Sequence, residues 1–407
     1  MRKHTSFMAA AMSTILLLAS CGQPTTVESW QPSELPGPTA TLESMPTPES
    51  VPATPAPVII KTVPYLDAGY PDGYEDLTEN QKMLYGVLDE ALRDIIDNGW
   101  EPDKIYPLEH SITYLEAIEA ENLFYVQHSS LDDLMAKLSF GDGIGDSFAW
   151  VRTDNYQDEG IDAYTYRDRY WERENAAEEI LSGLTCDGTE YGIARAIAEW
   201  LAENIPYAND HEERLEDWWL SEASGPLARG EAICTGFSHA YEFLCKKAGL
   251  DVLYLDGTGG SELHAWNMVR IGEKWYHVDT TWMATDLNKY QYFMMTDEIC
   301  RRLDHSDWIV ANWGQPRTVQ PPIADSCDLY EYYFETAEQA LEYFETANIV
   351  KYISYWLIFG SYEEQQKFYQ LADTVIANQE GNYDMMLSEL EDNQLSAMFF
   401  DEGEITA

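Results

Sequence analysis

Basic residues are scarce in this chain. Its 407 residues include 24 lysines and arginines against 72 aspartates and glutamates, a formal charge of −48. A field of that sign repels phosphate backbones and anionic headgroups, which excludes nucleic acid as a direct partner. Cysteine is sparse too, with six residues at wide spacings and no Cys-x-x-Cys pair. Neither a zinc site nor a disulfide framework is encoded. The stretches "GDGIGD" and "TDNYQDEG" miss the spacing of a calcium loop and read as turns. No segment repeats at a fixed period. No metal site and no cofactor is therefore expected.

What is present is a globular composition, 45% hydrophobic with 13 Trp and 27 Tyr, long enough for two or three domains. The first twenty residues stand apart. Arg2 and Lys3 precede an apolar run ending "ILLLASCG" with no acidic residue, the pattern of an export signal. Leu18, Ala19 and Ser20 lead into Cys21 and resemble the bacterial lipobox. That resemblance implies diacylation of Cys21 and anchoring on the extracytoplasmic face of the cell membrane. Residues 21–60 are rich in Pro, Thr, Ser and Glu and hold half of the 18 prolines. Such a segment cannot offset its ordering entropy by burial. At roughly 3.1 Å per residue it would reach on the order of 100 Å, a tether for the body that follows.

After the tether, "LTENQKMLYGVLDEALRDII" opens with a Thr78/Gln81 capping box and carries Leu84, Leu88, Ala91 and Ile95 on one face, a helix. A second helix is expected near 111–121, followed by short aromatic strands such as "NLFYVQ". Next, "YGIARAIAEWLAENIPY" makes a helical stripe of Ile193, Ile197, Trp200 and Leu201 that stops at Pro206. A strand-rich stretch spans 251–295. Beyond Cys300 a proline-bearing loop leads to a last unit, with helices at 336–347 and 362–380 and strands near 350–359 and 395–400.

The chemistry concentrates in two places. "CTGFSHAYEFLCKKAGL" reads as a helix with Phe237, Tyr241, Leu244, Cys245 and Ala248 on one apolar face and Gly249 at its end. Cys234 falls at the opposite end. There the unpaired N–H groups and the helix dipole favour a thiolate and could hold an oxyanion. Downstream, "LHAWNMVRIGEKWYHVDTTW" reads as a β-hairpin turning at 272–274. A two- or four-residue loop places His264 and Asp279 on one face, and a three-residue loop separates them. An imidazole beside a carboxylate is held in one tautomer and stabilised when protonated. His277, two residues before Asp279, is read as a half-exposed sheet histidine, and His239 as a surface or core filler. Tyr207, Trp218 and Trp219 read as core packing, with none assignable as an oxyanion donor.

These runs carry a family resemblance. Residues 176–298 resemble the transglutaminase-like superfamily of papain-fold cysteine enzymes, through "CTGFSHA", "HAWN", "WYHVDTTW" and "YQYFMMTDE" in that order. The resemblance implies Cys234 as nucleophile, His264 as general base and acid, and Asp279 as the group that orients the imidazole. Where many bacterial relatives carry acidic residues after "DTTW", this chain has Met283 and Ala284. The expected fold is α+β: a transglutaminase-like core at 171–300, its helix-borne cysteine packed on an antiparallel sheet. Small α+β units at 61–170 and 301–407 flank it, behind a signal peptide at 1–20. The expected function is acyl transfer on protein or peptide amides at the cell surface through a Cys234 thioester, read as hydrolytic. A crosslinking transglutaminase and a non-catalytic tethered binding protein are the alternatives.

Overall fold

A computed structural model of the chain describes residues 57–140, 147–154, 162–214, 216–310, 320–347, 349, 351, 353–378, 383–390 and 393–401. Cys21, the tether up to residue 56, "GDGIGD" and most of "TDNYQDEG" lie outside them. Helices and largely antiparallel sheets alternate along the chain, an α+β architecture.

The capping signals set the first helices. Thr78 accepts from the Gln81 amide and Gln81 returns the bond, opening the helix Glu79–Asn98, which buries Leu84, Leu88, Ala91 and Ile95. Thr113 and Glu116 form a second capping box that opens Tyr114–Gln127. That helix takes in "NLFYVQ", which the sequence reading had as a strand. Aromatic residues favour strands only weakly, and here a capped helix buries Ala117, Ala120 and Phe124 on one side instead. The helix Glu190–Asn204 starts at its Thr189 cap and ends before Pro206, burying Ala194, Ile197, Ala198 and Leu201.

The central sheet has five antiparallel strands in the spatial order His305–Val310, Val252–Gly259, Glu262–Ile271, Lys274–Val278, Phe293–Met295. Ile271 pairs with Lys274, so the hairpin loop is the two-residue turn of Gly272 and Glu273. The outermost strand, His305–Val310, was expected to be loop; it pairs with Val252–Gly259 across an irregular register. At the C-terminal end a four-stranded sheet carries the helices Ala337–Thr346 and Tyr362–Asn378, close to where the sequence puts them. Its strands Tyr333–Phe334 and Tyr383–Glu389 were not anticipated.

The helix Cys234–Lys247 lies against the central sheet and is buried on all sides from Gly236 onward, not on one face alone. Its charged residues Glu242, Lys246 and Lys247 are therefore paired inside the protein. Glu242 accepts from Ser129 and from Lys246, both at 2.6 Å. Lys247, 1% exposed, bonds Glu174 at 2.6 Å and the Val63 carbonyl at 3.2 Å. Asn267 of "HAWN" donates to the Ser238 and Leu253 carbonyls, joining helix and sheet. Near its start, Gly236 is required by close approach: a Cβ there would sit 2.3 Å from the Leu220 carbonyl oxygen. The helix is clamped at both ends and through its middle.

Removing one partner of a buried pair strands the other charge. Lys247→Ala should therefore cost about 3–5 kcal/mol in urea unfolding, and Lys247→Met with Glu174→Gln much less. Equal losses in the two proteins would remove the stranded charge as the cause.

Candidate active site

Cys234 is the first residue of its helix, with Ile233 as an N-cap that offers no side-chain bond. The first N–H groups of a helix have no carbonyl four residues back, so they point outward beside the thiol. Cys234 is half-buried and lines a cleft of about 550 Å³ together with Thr235, Asp256, Leu263, His264 and Asp307. Cys245 and Cys300 are fully buried, and burial pushes both thiols up, away from the reactive form. All five described cysteines are free.

His264 stands on the neighbouring strand. Its Nε2 lies 2.7 Å from Asp279 Oδ2, and the ring shares the cleft wall with Cys234, close enough for the thiol to help raise its pKa. The ring stacks on Trp282 at 5.1 Å and on Trp266 at 5.8 Å. Across the sheet, a Cβ on Gly259 would sit 2.9 Å from the imidazole, so the ring's place depends on that glycine. The three residues singled out from sequence thus converge around His264.

Asp279 reaches the site from the position after the strand Lys274–Val278, where it caps the short helix Thr280–Thr285. Its Oδ1 accepts the Thr281 and Trp282 amides, each at 3.0 Å. Burial would raise this carboxyl, but the His264 charge and the bonds from His264 and His305 hold it well below the usual carboxylate range. Burial would likewise lower His264, and Asp279, then Cys234, outweigh it and raise the imidazole to about 10. The site therefore keeps an imidazolium beside the thiol through neutral pH.

Other sequence readings change in the structure. His277 is fully buried, not half-exposed, because both its nitrogens are taken: Nδ1 accepts from the Trp266 indole at 3.0 Å and Nε2 bonds Asp297 at 3.0 Å. It holds Trp266 and makes no bond to Asp279. His239 is also buried, its ring tilted against Tyr254 at 4.4 Å, and Tyr254 itself packs against Cys234. Trp218 and Trp219 lie against arginines and line no part of the cleft. Tyr207 differs: its backbone bridges to Ala232, two residues before Cys234, and burial, with the Cys234 charge after it, raises its hydroxyl to about 12.

One residue was missed. His305 places Nε2 3.0 Å from Asp279 Oδ2 from a strand 41 residues beyond His264 in the chain. No sequence signal marks it, since it follows the recognisable motifs and joins them only through the outer strand. Ligand atoms of His264, Asp279 and His305 lie within 4.8 Å of one another, as do those of Asp132, Asp133 and Glu222. In the first group they hydrogen-bond directly, and in the second Arg173 already bonds Asp133 at 2.7 Å. Neither is assigned as a metal site.

A thiol at a helix start, an imidazole beside it and a carboxylate bonded to the imidazole are the arrangement of cysteine enzymes with a thiol–imidazole–carboxylate centre. Residues 174–280 match the model of the transglutaminase-like superfamily, and this part of the chain is a transglutaminase-like domain. Structural comparison finds partial likeness to a TGase at 17% identity, over 38% of this chain and 47% of that one, with a TM-score of 0.24. The match thus spans less than half of that protein. A protein from Cytophaga hutchinsonii described as a candidate cysteine protease matches at 13% identity over 46% of this chain and 69% of its own, TM-score 0.23. No curated protein shows significant sequence similarity to the chain.

The raised His264 pKa makes stability pH-dependent. Its folded value lies above the unfolded value of about 6.5, so the contribution is full below that pH and lost as pH rises towards about 10. The destabilisation caused by His264→Gln in urea unfolding should be larger at pH 6 than at pH 10. A loss independent of pH would contradict the assigned ion pair.

Proposed function

We propose that the protein is a cysteine acyl-transfer enzyme, lipid-anchored through Cys21 on the extracytoplasmic face, which cleaves protein or peptide amides. The observation that carries this reading is His264, bonded to the buried Asp279 and lining one open cleft with Cys234, near enough for the thiol to help raise its pKa. The Cys234 sulfur attacks the amide carbonyl carbon, forming a C–S bond and an oxyanion that the N–H groups at the helix start can hold. His264 passes its proton to the departing nitrogen as the C–N bond breaks, leaving a thioester. Water then attacks the thioester, His264 accepts its proton, and the C–S bond breaks to release the acid. Asp279 holds the ring in one tautomer and supports its charge throughout. An amine in place of water would give the crosslinking reaction with the same residues. Water is the favoured acceptor, being abundant in an open cleft.

The cleft also favours a substrate class. Among the described residues its acidic walls are Asp256 and Asp307, no lysine or arginine lines it, and neither carboxylate has a cationic partner. Leu263, 91% exposed, and Ile309 supply apolar surface beside them. A peptide with a basic side chain near the reacting carbonyl suits these walls, and the lipobox and tether would present the cleft to such chains outside the cell.

Iodoacetamide labelling of the full-length protein tests the nucleophile without knowledge of the substrate. Cys234 should label fast at pH 6–7, where a free thiol of pKa about 8.5 labels slowly, and His264→Ala should remove that advantage. Labelling that follows an ordinary thiol in both proteins would leave only a tethered binding protein. For the substrate class, the probes are a cationic and an anionic methanethiosulfonate. The cation-to-anion rate ratio at Cys234 should fall several-fold in Asp256→Asn/Asp307→Asn, with no change at Cys186. An equal fall at both cysteines would reduce the preference to the overall charge of the chain.

A further inference from the structure

The accounting around Asp279 does not end with His264. The Oδ2 atom that takes the His264 bond at 2.7 Å also faces His305 Nε2 at 3.0 Å. The other His305 nitrogen, Nδ1, lies 2.9 Å from the Leu303 carbonyl oxygen. A carbonyl only accepts, and an ionised carboxylate only accepts. Both contacts are hydrogen bonds at the same time only when both ring nitrogens carry hydrogen. His305 is 1% exposed, walled by Trp282 at 4.2 Å and Trp266 at 4.7 Å, so no water competes for either nitrogen.

Charge balance points the same way. A working set of thiolate, imidazolium and carboxylate carries one net negative charge in a largely buried site, which is costly without compensation. Among the described elements packed against His305 the other cations are already paired, and Asp256 and Asp307 only add negative charge. Asp256 bonds Tyr254, His277 and Arg301 bond Asp297, and Arg302 bonds Glu298. Cys300 faces Asp279 from the adjoining helix as a thiol raised by burial, and Tyr292 faces it as a phenol raised by burial. His305 is the group placed to supply the missing positive charge.

We infer that His305 is a positioning residue of this site, one that donates from both ring nitrogens, fixes Asp279 Oδ2 and balances its charge so that His264 is shared less tightly between carboxylate and thiol. This inference rests on the acyl-transfer reading of Cys234 and His264. It adds a consequence for them. With His305 in place, part of the carboxylate's field is spent elsewhere, and the His264 proton remains transferable to a leaving group. Without it, Asp279 grips His264 harder and the field favouring a Cys234 thiolate weakens.

Two measurements on the full-length chain test this. The first is the ring ¹⁵N spectrum of the wild-type protein at pH 7, with His305→Gln used only to assign the signals. Both His305 nitrogens should appear protonated, and a ring protonated at one nitrogen overturns the inference. The second is the pH profile of Cys234 alkylation in His305→Gln, which keeps an N–H donor without the charge, and in His305→Phe. The rising limb should move to higher pH by about one unit in both, a tenfold slower rate at fixed pH on that limb. A rate lowered equally at every pH, with the limb unmoved, would make His305 structural only and overturn the inference. If wild-type Cys234 labels as an ordinary thiol, the acyl-transfer reading fails instead, and the ¹⁵N result separates the two failures.

Discussion

One buried carboxylate organises this molecule's chemistry. Asp279 sits without solvent contact and accepts four hydrogen bonds, two from backbone amides on Oδ1 and two from imidazoles on Oδ2. An unpaired charge in that position would cost several kcal/mol. The donors around it are therefore conditions of its burial as well as parts of a site. The turn into Thr280–Thr285 supplies the amides, the central hairpin supplies His264, and the outermost strand closes the set with His305. These three elements together make one buried charge tolerable. That charge in turn holds His264 as an imidazolium beside the thiol.

The thiol depends on a different constraint, the rigidity of its helix. A helix buried on every side has nowhere to send its polar side chains, and the sequence "HAYEFLCKK" has four of them. Glu242, Lys246 and Lys247 find partners on segments more than seventy residues away or on each other, which fixes the helix axially and in rotation. Asn267 pins its second turn to the sheet that carries His264. The nucleophile is thereby placed by contacts distributed from Val63 to Asn267 rather than by its immediate neighbours.

The acidic bias acts at a third level. A formal charge of −48 spread over the chain sets a background field, and Asp256 and Asp307 carry that sign to the mouth of the cleft. Among the described residues, the cationic group lining the cleft with the thiol is the His264 imidazole. Some of the scarce positive charge is held in buried pairs such as Lys247 with Glu174 and Arg173 with Asp133, and some at the site, where Asp279 holds His264 as an imidazolium.

Much of this was legible in sequence because it is local. The capping box at Thr78, the Pro206 stop and the Gly249 end are set by a few adjacent residues. The placing of Cys234 at a helix start and the parity that brings His264 and Asp279 to one face follow from periodicities of 3.6 and 2. Where the reading failed, the deciding contacts were distant. "NLFYVQ" became helix because of the core it faces, and His277 was buried because Trp266 and Asp297 close over both its nitrogens. The sequence by itself determined the order and spacing of Cys234, His264 and Asp279 and the elements that bear them. Only the tertiary structure decided that His305 completes the set. The strand that carries it joins the sheet through backbone ladder bonds, and those are blind to side-chain identity and leave no pattern to read.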